Sequence, residues 1–170
     1  GPGFINCFLK PEWLYQVPLE VAALGEKYGY SEVGRGETVQ VEFVSANPTG
    51  LLHIGHARGA ALGDTLANLL TAVGCRVTRE FYINDAGNQI EKFADSLEAR
   101  YAQALGQPVP LPEDGYHGED LVETVQNFIS QYGDRYLNAA PAERRQTLVD
   151  FALQEKLTAI RTTLAAFGVE

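Results

Sequence analysis

The chain of 170 residues contains no methionine, only two cysteines and no long apolar run. Without methionine it has no start residue of its own, so the opening "GPGFIN" is expected to begin mid-protein or to follow a protease scar. Cys7 and Cys75 lie far apart and outside any C-x-x-C pattern. That argues against a disulfide framework or a Cys-based zinc site, and for two reduced thiols. No stretch approaches the length of a membrane span, and no basic segment precedes an apolar one. A soluble, cytoplasmic protein with no membrane partner is expected.

Positive charge is also scarce, with 13 Lys and Arg against 22 Asp and Glu and a net charge of −9. The imbalance is local. Between Arg100 and Arg135 there is no Lys or Arg, while Glu113, Asp114, Glu119, Asp120, Glu123 and Asp134 all fall there. Such a face repels a polyanion, because nucleic-acid affinity rests largely on cationic contacts to phosphate. Any nucleic-acid role must draw its main positive surface from elsewhere. The G-x-G-x-x-G fingerprint and the P-loop G-x-x-x-x-G-K-[ST] are absent too, which counts against ordinary dinucleotide binders and P-loop NTPases. What remains is an ordinary globular composition, 45% hydrophobic, long enough for one good core or for one domain plus part of another.

The order of elements follows from periodicity. "GFINCFL" (3–9) has strand character, and Pro11 suits the first turn of a helix over 11–29 that Pro18 should break or kink. "YSEVGRGE" (30–37) is a turn-rich linker. "TVQVEFVSA" (38–46) alternates as a strand does. Leu62, Leu66, Leu69 and Val73 mark a helix from about Gly55, capped by Gly74. "CRVTREFYI" (75–83) is a second strand. A helix over 84–105 then opens with Asn84 or Asp85 as cap and buries Ile90, Phe93, Leu97 and Tyr101. Strand, helix, strand predicts a βαβ unit with parallel pairing. After the Pro- and Gly-rich segment 106–118, two helices are expected near 118–132 and 141–167, ended by Gly168. The first carries Leu121, Val125, Phe128 and Tyr132. Three successive helices depart from simple alternation and look like a helical insertion.

The polar residues concentrate in "SANPTGLLHIGHARG" (45–59), where the first strand gives way to a helix. Ligands of α/β sheets usually bind at such carboxyl ends of strands. A helix beginning there offers free N–H groups to an anion. His53 and His56 can donate to a phosphate oxygen as charge develops on it, and Gly55 lets a flat base approach the backbone. That suits attack at an α-phosphate with pyrophosphate leaving, which needs positioning rather than a covalent nucleophile. Ser45 and Asn47, two apart, face one side of an extended strand and can hold the ammonium and carboxylate of an amino acid. Plainer readings stand beside these. H-x-x-H can be a metal pair, although His117 is the only other histidine and no metal is expected. The histidines can also be idle surface groups, and Ser45 with Asn47 merely a cap or an Asx-turn.

"HIGH" (53–56), after a strand and opening a helix, resembles the first signature of class I aminoacyl-tRNA synthetases. "VEFVSANPTGLLHIGHARGAALGDTLANLL" (41–70), "FYINDAGNQI" (81–90) and "YHGEDLV" (116–122) resemble the bacterial-type arginyl-tRNA synthetase family in particular, and the likeness spans essentially the whole chain. It implies a Rossmann-like (HUP-type) α/β parallel-sheet half-domain, incomplete, with a helical insertion. The implied divisions are 1–10 (end of an N-terminal additional domain), 11–37 (helical linker), 38–105 (first half of the catalytic domain) and 106–170 (insertion and return helix). By position, His53, Gly55 and His56 match ATP-binding and transition-state residues, and Ser45, Asn47 and His56 match arginine-binding ones. Glu42 lies in the same stretch, but alternation from Ser45 puts it on the opposite face. Asn84, Asp85 and Gly87 match a family block in which capping explains Asn84 and Asp85.

The implied activity is arginine–tRNA ligation through an arginyl-adenylate, with ATP and Mg2+ as substrate, no tightly bound cofactor, and L-arginine and tRNA-Arg as partners. The family likeness also implies that activation depends on bound tRNA. The second signature, K-M-S-K-S, is absent, and the only lysines are Lys10, Lys27, Lys92 and Lys156. The guanidinium-binding residues and the anticodon-binding domain are expected beyond Glu170. The chain thus reads as an internal fragment with half an active site, inactive or weakly active alone. Two rivals remain at this stage: a non-catalytic binding or regulatory module, and another HIGH-type nucleotidyltransferase.

Overall fold

Two short strands rich in β-branched residues, β1 (Thr38–Glu42) and β2 (Arg76–Glu80), pair in parallel from Thr38 opposite Arg76 to Glu42 opposite Glu80. Parallel neighbours need a crossover, and α2 (Ile54–Ala72) supplies it. In the computed structural model, which describes residues 2–169, this βαβ unit carries the polar stretch at its strand ends. The face of α2 that meets the sheet consists of small residues, with Ala60, Gly63 and Ala67 buried. Leu62, Leu66 and Leu69, the stripe that marks the helix in the sequence, are exposed instead. The reason is close approach: a Cβ on Gly63 would lie 2.1 Å from Phe43 Cγ, so only a glycine fits there.

The turn-rich linker is tied around the end of α2. Ser31 N–H donates to Ala72 O at 2.9 Å, Gly34 N–H to Val73 O at 2.7 Å and Gly36 N–H to Gly74 O at 2.9 Å. Before it, α1 (Pro11–Leu24) buries no residue and runs through Pro18 without the expected break. Residues 4–9 form no strand. Strand-like composition does not make a strand without a partner, and none lies beside them among the described residues.

The larger core lies between three helices, α3 (Asn88–Ala104), α4 (Glu119–Tyr132) and α5 (Pro141–Ala166). Ile90, Phe93, Leu97, Tyr101, Leu121, Val125 and Phe128 are all buried, as their spacing predicts, with Leu148 and Ala152 from α5. Each large apolar side chain so buried contributes on the order of 1.5–3 kcal/mol. Tyr101 satisfies its hydroxyl by donating to Gly133 O at 2.9 Å. Arg145 on α5 binds Glu91, Asp95 and Glu98 along α3, at 2.6–2.9 Å. This ladder fixes the first half of α3.

The start of α3 departs from expectation. Its N-cap is Gly87, at φ 88°, with no side-chain cap. Asn84 and Asp85 therefore do not cap it. The helix begins at Asn88 because that turn presents Ile90, Phe93 and Leu97 to α4 and α5, while Tyr82 before it binds the loop that follows β1.

Candidate functional site

At the end of β1 the ladder reaches one residue further, with Phe43 N–H donating to Glu80 O at 3.1 Å. The chain then turns sharply. Val44 and Ser45 have positive φ, 67° and 38°, and Ser45 N–H donates to Phe43 O at 3.0 Å. This is a γ-turn, a strained conformation for a β-branched residue. Ser45 Oγ donates to Glu42 Oε1 at 2.7 Å and accepts Tyr82 N–H at 3.1 Å. Ser45 and Asn47 are thus not on one face of an extended strand. Glu42, expected on the opposite face, touches Ser45. The turn resets the period of two from which that expectation came.

The loop beyond is firmly held. Ala46, Pro48 and Thr49 are buried. Asn47 Nδ2 donates to Gln89 Oε1 in the first turn of α3, joining the loops that follow the two strands.

His53 is the N-cap of α2, in extended conformation at φ −126° and ψ 176°. Its Nδ1 accepts Gly55 N–H at 3.1 Å, and His56 Nδ1 accepts His53 N–H at 3.1 Å. The two rings lie 3.9 Å apart, tilted by 31°. With both Nδ1 atoms acting as acceptors, each neutral ring must carry its proton on Nε2. The capping thus gives two outward N–H donors at the positive end of a helix dipole. Burial, and secondarily the charge of His53, push the His56 imidazole below its ordinary value of 6.5, so the neutral form is favoured. Gly55 has a more local reason than ligand approach. A Cβ there would sit 2.9 Å from His53 Cε1 and 3.0 Å from its Nδ1.

Beside His53 a cavity of about 380 Å³ opens between the start of α2 and the end of α5, lined by Leu52, Ile54, Ala57, Thr163, Leu164 and Phe167 among others. The structure brings His53, Gly55 and His56 together as one unit, and Ser45, Glu42 and the Tyr82 backbone as another. No hydrogen bond joins Ser45 or Asn47 to either histidine among the described residues. Two participants were not assigned from sequence. Glu42 was misplaced by strand parity, and Gln89 had no local signal at all, because its partner is 42 positions away. His117 is exposed. No group of three or more potential metal ligands occurs among the described residues, and no helix there is long and apolar enough to cross a membrane.

The chain is similar to known proteins. Residues 20–117 match the family described as tRNA synthetases class I (R), catalytic domain. The chain is 68% identical over 169 residues to arginine--tRNA ligase of Moorella thermoacetica, and 55% identical over 170 residues to that of Carboxydothermus hydrogenoformans. These alignments cover 99% and 100% of the chain but 30% of each relative, so the chain spans about a third of their length. A crystal structure from Campylobacter jejuni with a provisional arginyl-tRNA synthetase assignment superposes with a TM-score of 0.79 at 33% identity. It covers 92% of this chain and 34% of that one. The arginyl-tRNA synthetase of Thermus thermophilus gives a TM-score of 0.57 at 27% identity over 97% of this chain and 26% of its own. The parallel pair and its crossover helix are thus part of a Rossmann-like domain, and the chain belongs to the class I (R) tRNA synthetase family, in its catalytic domain.

Proposed function

We propose that this chain supplies the ATP-phosphate and amino-acid-backbone half of the activation site of an arginine--tRNA ligase. The observation that carries the reading is the reciprocal capping of His53 and His56, which fixes two Nε2–H donors at the start of α2. In the first step a carboxylate oxygen of arginine attacks the α-phosphorus of ATP. The bond to pyrophosphate breaks and arginyl-adenylate forms. Charge builds on the phosphate oxygens in that transition state, and fixed N–H donors stabilise it without reorganising. In the second step a terminal ribose hydroxyl of tRNA-Arg displaces AMP.

Glu42 and Ser45 supply a carboxylate and a hydroxyl at 2.7 Å from each other, an acceptor pair suited to the α-ammonium of arginine. Asn47 adds an amide on the same loop. ATP enters as its magnesium complex, as a substrate, and the reaction runs in the cytoplasm. Residues 38–105 act as the first half of the catalytic domain, 1–10 as the end of an additional N-terminal domain, 11–37 as a helical linker, and 106–170 as an insertion with its return helix. The acidic helical part leaves most tRNA contact to other segments of the parent protein.

The test is aminoacylation by the full-length parent enzyme with tRNA present, read as arginine-dependent release of AMP and pyrophosphate. Arginine should be charged and lysine should not. Adenylylation of a different acceptor such as pantothenate, with no response to arginine, would assign the same histidines to another nucleotidyltransferase. Nucleotide binding that persists after substitution of both histidines would make the chain a non-catalytic module.

A further inference from the structure

The polar side chains of the loop after β1 are held from the segment after β2. Tyr82 N–H donates to Ser45 Oγ at 3.1 Å, and Gln89 Oε1 accepts from Asn47 Nδ2. We infer that Gln89 is a positioning residue for arginine activation, acting by holding the Asn47 side chain in place beside the substrate. An asparagine amide has a donor end and an acceptor end, and nothing in its own shape prefers one over the other. With one Nδ2 hydrogen given to Gln89, Asn47 keeps Oδ1 as an acceptor and the second Nδ2 hydrogen as a donor.

Gln89 is well placed to hold that side chain. It stands in the first turn of α3, one residue before the buried Ile90 and two before Glu91, which Arg145 of α5 binds at 2.7 Å. The helix beneath it is anchored by Phe93, Leu97 and Tyr101 in the main core. The side chain itself is exposed, so replacing it leaves the core intact. The three-helix unit thereby gains a direct handle on the amino-acid site, through one hydrogen bond between residues 42 positions apart.

The inference rests on the reading of Ser45 and Asn47 as arginine-binding, and the experiment separates the two. Steady-state aminoacylation is measured for the full-length enzyme, wild type and with Gln89→Ala, Gln89→Glu, Asn47→Ala, and both alanines together. Loss of one such hydrogen bond should raise the KM for arginine about fivefold in Gln89→Ala, with the KM for ATP unchanged. Gln89→Glu keeps the acceptor and should restore the KM for arginine. In the Asn47→Ala background, Gln89→Ala should have no further effect, because its target is gone. An unchanged KM in Gln89→Ala, an additive effect in the double variant, or equal shifts in both KM values would overturn the positioning role. A wild-type enzyme that charges no arginine would instead overturn the functional reading beneath it.

Discussion

His53 and His56 cap each other: the Nδ1 of His53 accepts Gly55 N–H, the Nδ1 of His56 accepts His53 N–H, and the rings lie 3.9 Å apart. Each imidazole therefore has one nitrogen committed to the backbone and one facing outward. The same two bonds that start α2 also select the tautomer, so under the proposed function stability and activity are coupled at these positions.

His56→Ala removes a cap and a donor at once. If His56 serves as one transition-state donor, kcat for aminoacylation by the full-length enzyme should fall by about 10²–10³. The loss of a capping bond should lower stability by about 1 kcal/mol. Paired kinetics and thermal unfolding separate the two effects, and a near-wild-type rate removes His56 from the transition state.

Acid should loosen the same structure. Burial first, and the charge of His53 second, hold the folded-state pKa of His56 below 6.5. Just under 6.5 the unfolded chain then binds more protons than the folded one, so stability rises with pH in that interval. The contribution is fully present above pH 6.5 and is lost as pH falls through the lowered folded value. Urea midpoints measured between pH 7.5 and 5 should decline more steeply for the wild type than for His56→Ala. Parallel curves would show that this imidazole does not carry the effect.

Much of this was legible in the sequence, because β1, α2, β2 and the three later helices follow from local period and punctuation. The buried set Phe93, Leu97, Tyr101, Leu121, Val125 and Phe128 is readable for the same reason. The failures share one cause. Val44 is β-branched and gives no hint of positive φ, so the parity that links Glu42 to Ser45 could not be counted through it. Asn84 and Asp85 have the right chemistry for a cap, but tertiary burial of Ile90 decides where α3 begins, four and three residues later. In α2 the leucine stripe reveals the helix while the small residues beside it do the packing. Gln89 and Asn47 meet only because the two strands are neighbours, which no window of sequence contains.

The Gly63–Phe43 contact predicts a change of sign. At an ordinary helical site, glycine to alanine gains roughly 1 kcal/mol. Here the added Cβ would lie 2.1 Å from Phe43 Cγ, so α2 must lift off the sheet or Phe43 must move. Gly63→Ala should therefore be destabilising, by about 1–3 kcal/mol. Adding Phe43→Ala should cancel part of that penalty, giving a non-additive cycle in denaturant unfolding. Additive losses would mean that the helix and the ring do not compete for the same space.

The pair between Lys156 and Asp120 predicts an asymmetry rather than a single magnitude. Lys156 Nζ lies 2.8 Å from Asp120 Oδ2 and 3.2 Å from Asp120 O, with the lysine side chain 4% exposed and the aspartate 25%. Removing the aspartate strands a buried ammonium, and Asp120→Ala should cost about 3–5 kcal/mol. It also removes a favourable negative charge from the first turn of α4. Lys156→Met leaves the carboxylate, which reaches water and sits at the positive end of a helix, while the thioether chain fills the vacated space. Its cost should be smaller, about 1–2 kcal/mol. Equal losses in the two variants would mean that solvent reaches the lysine after all, and that the contact between α4 and α5 is held by its apolar residues alone.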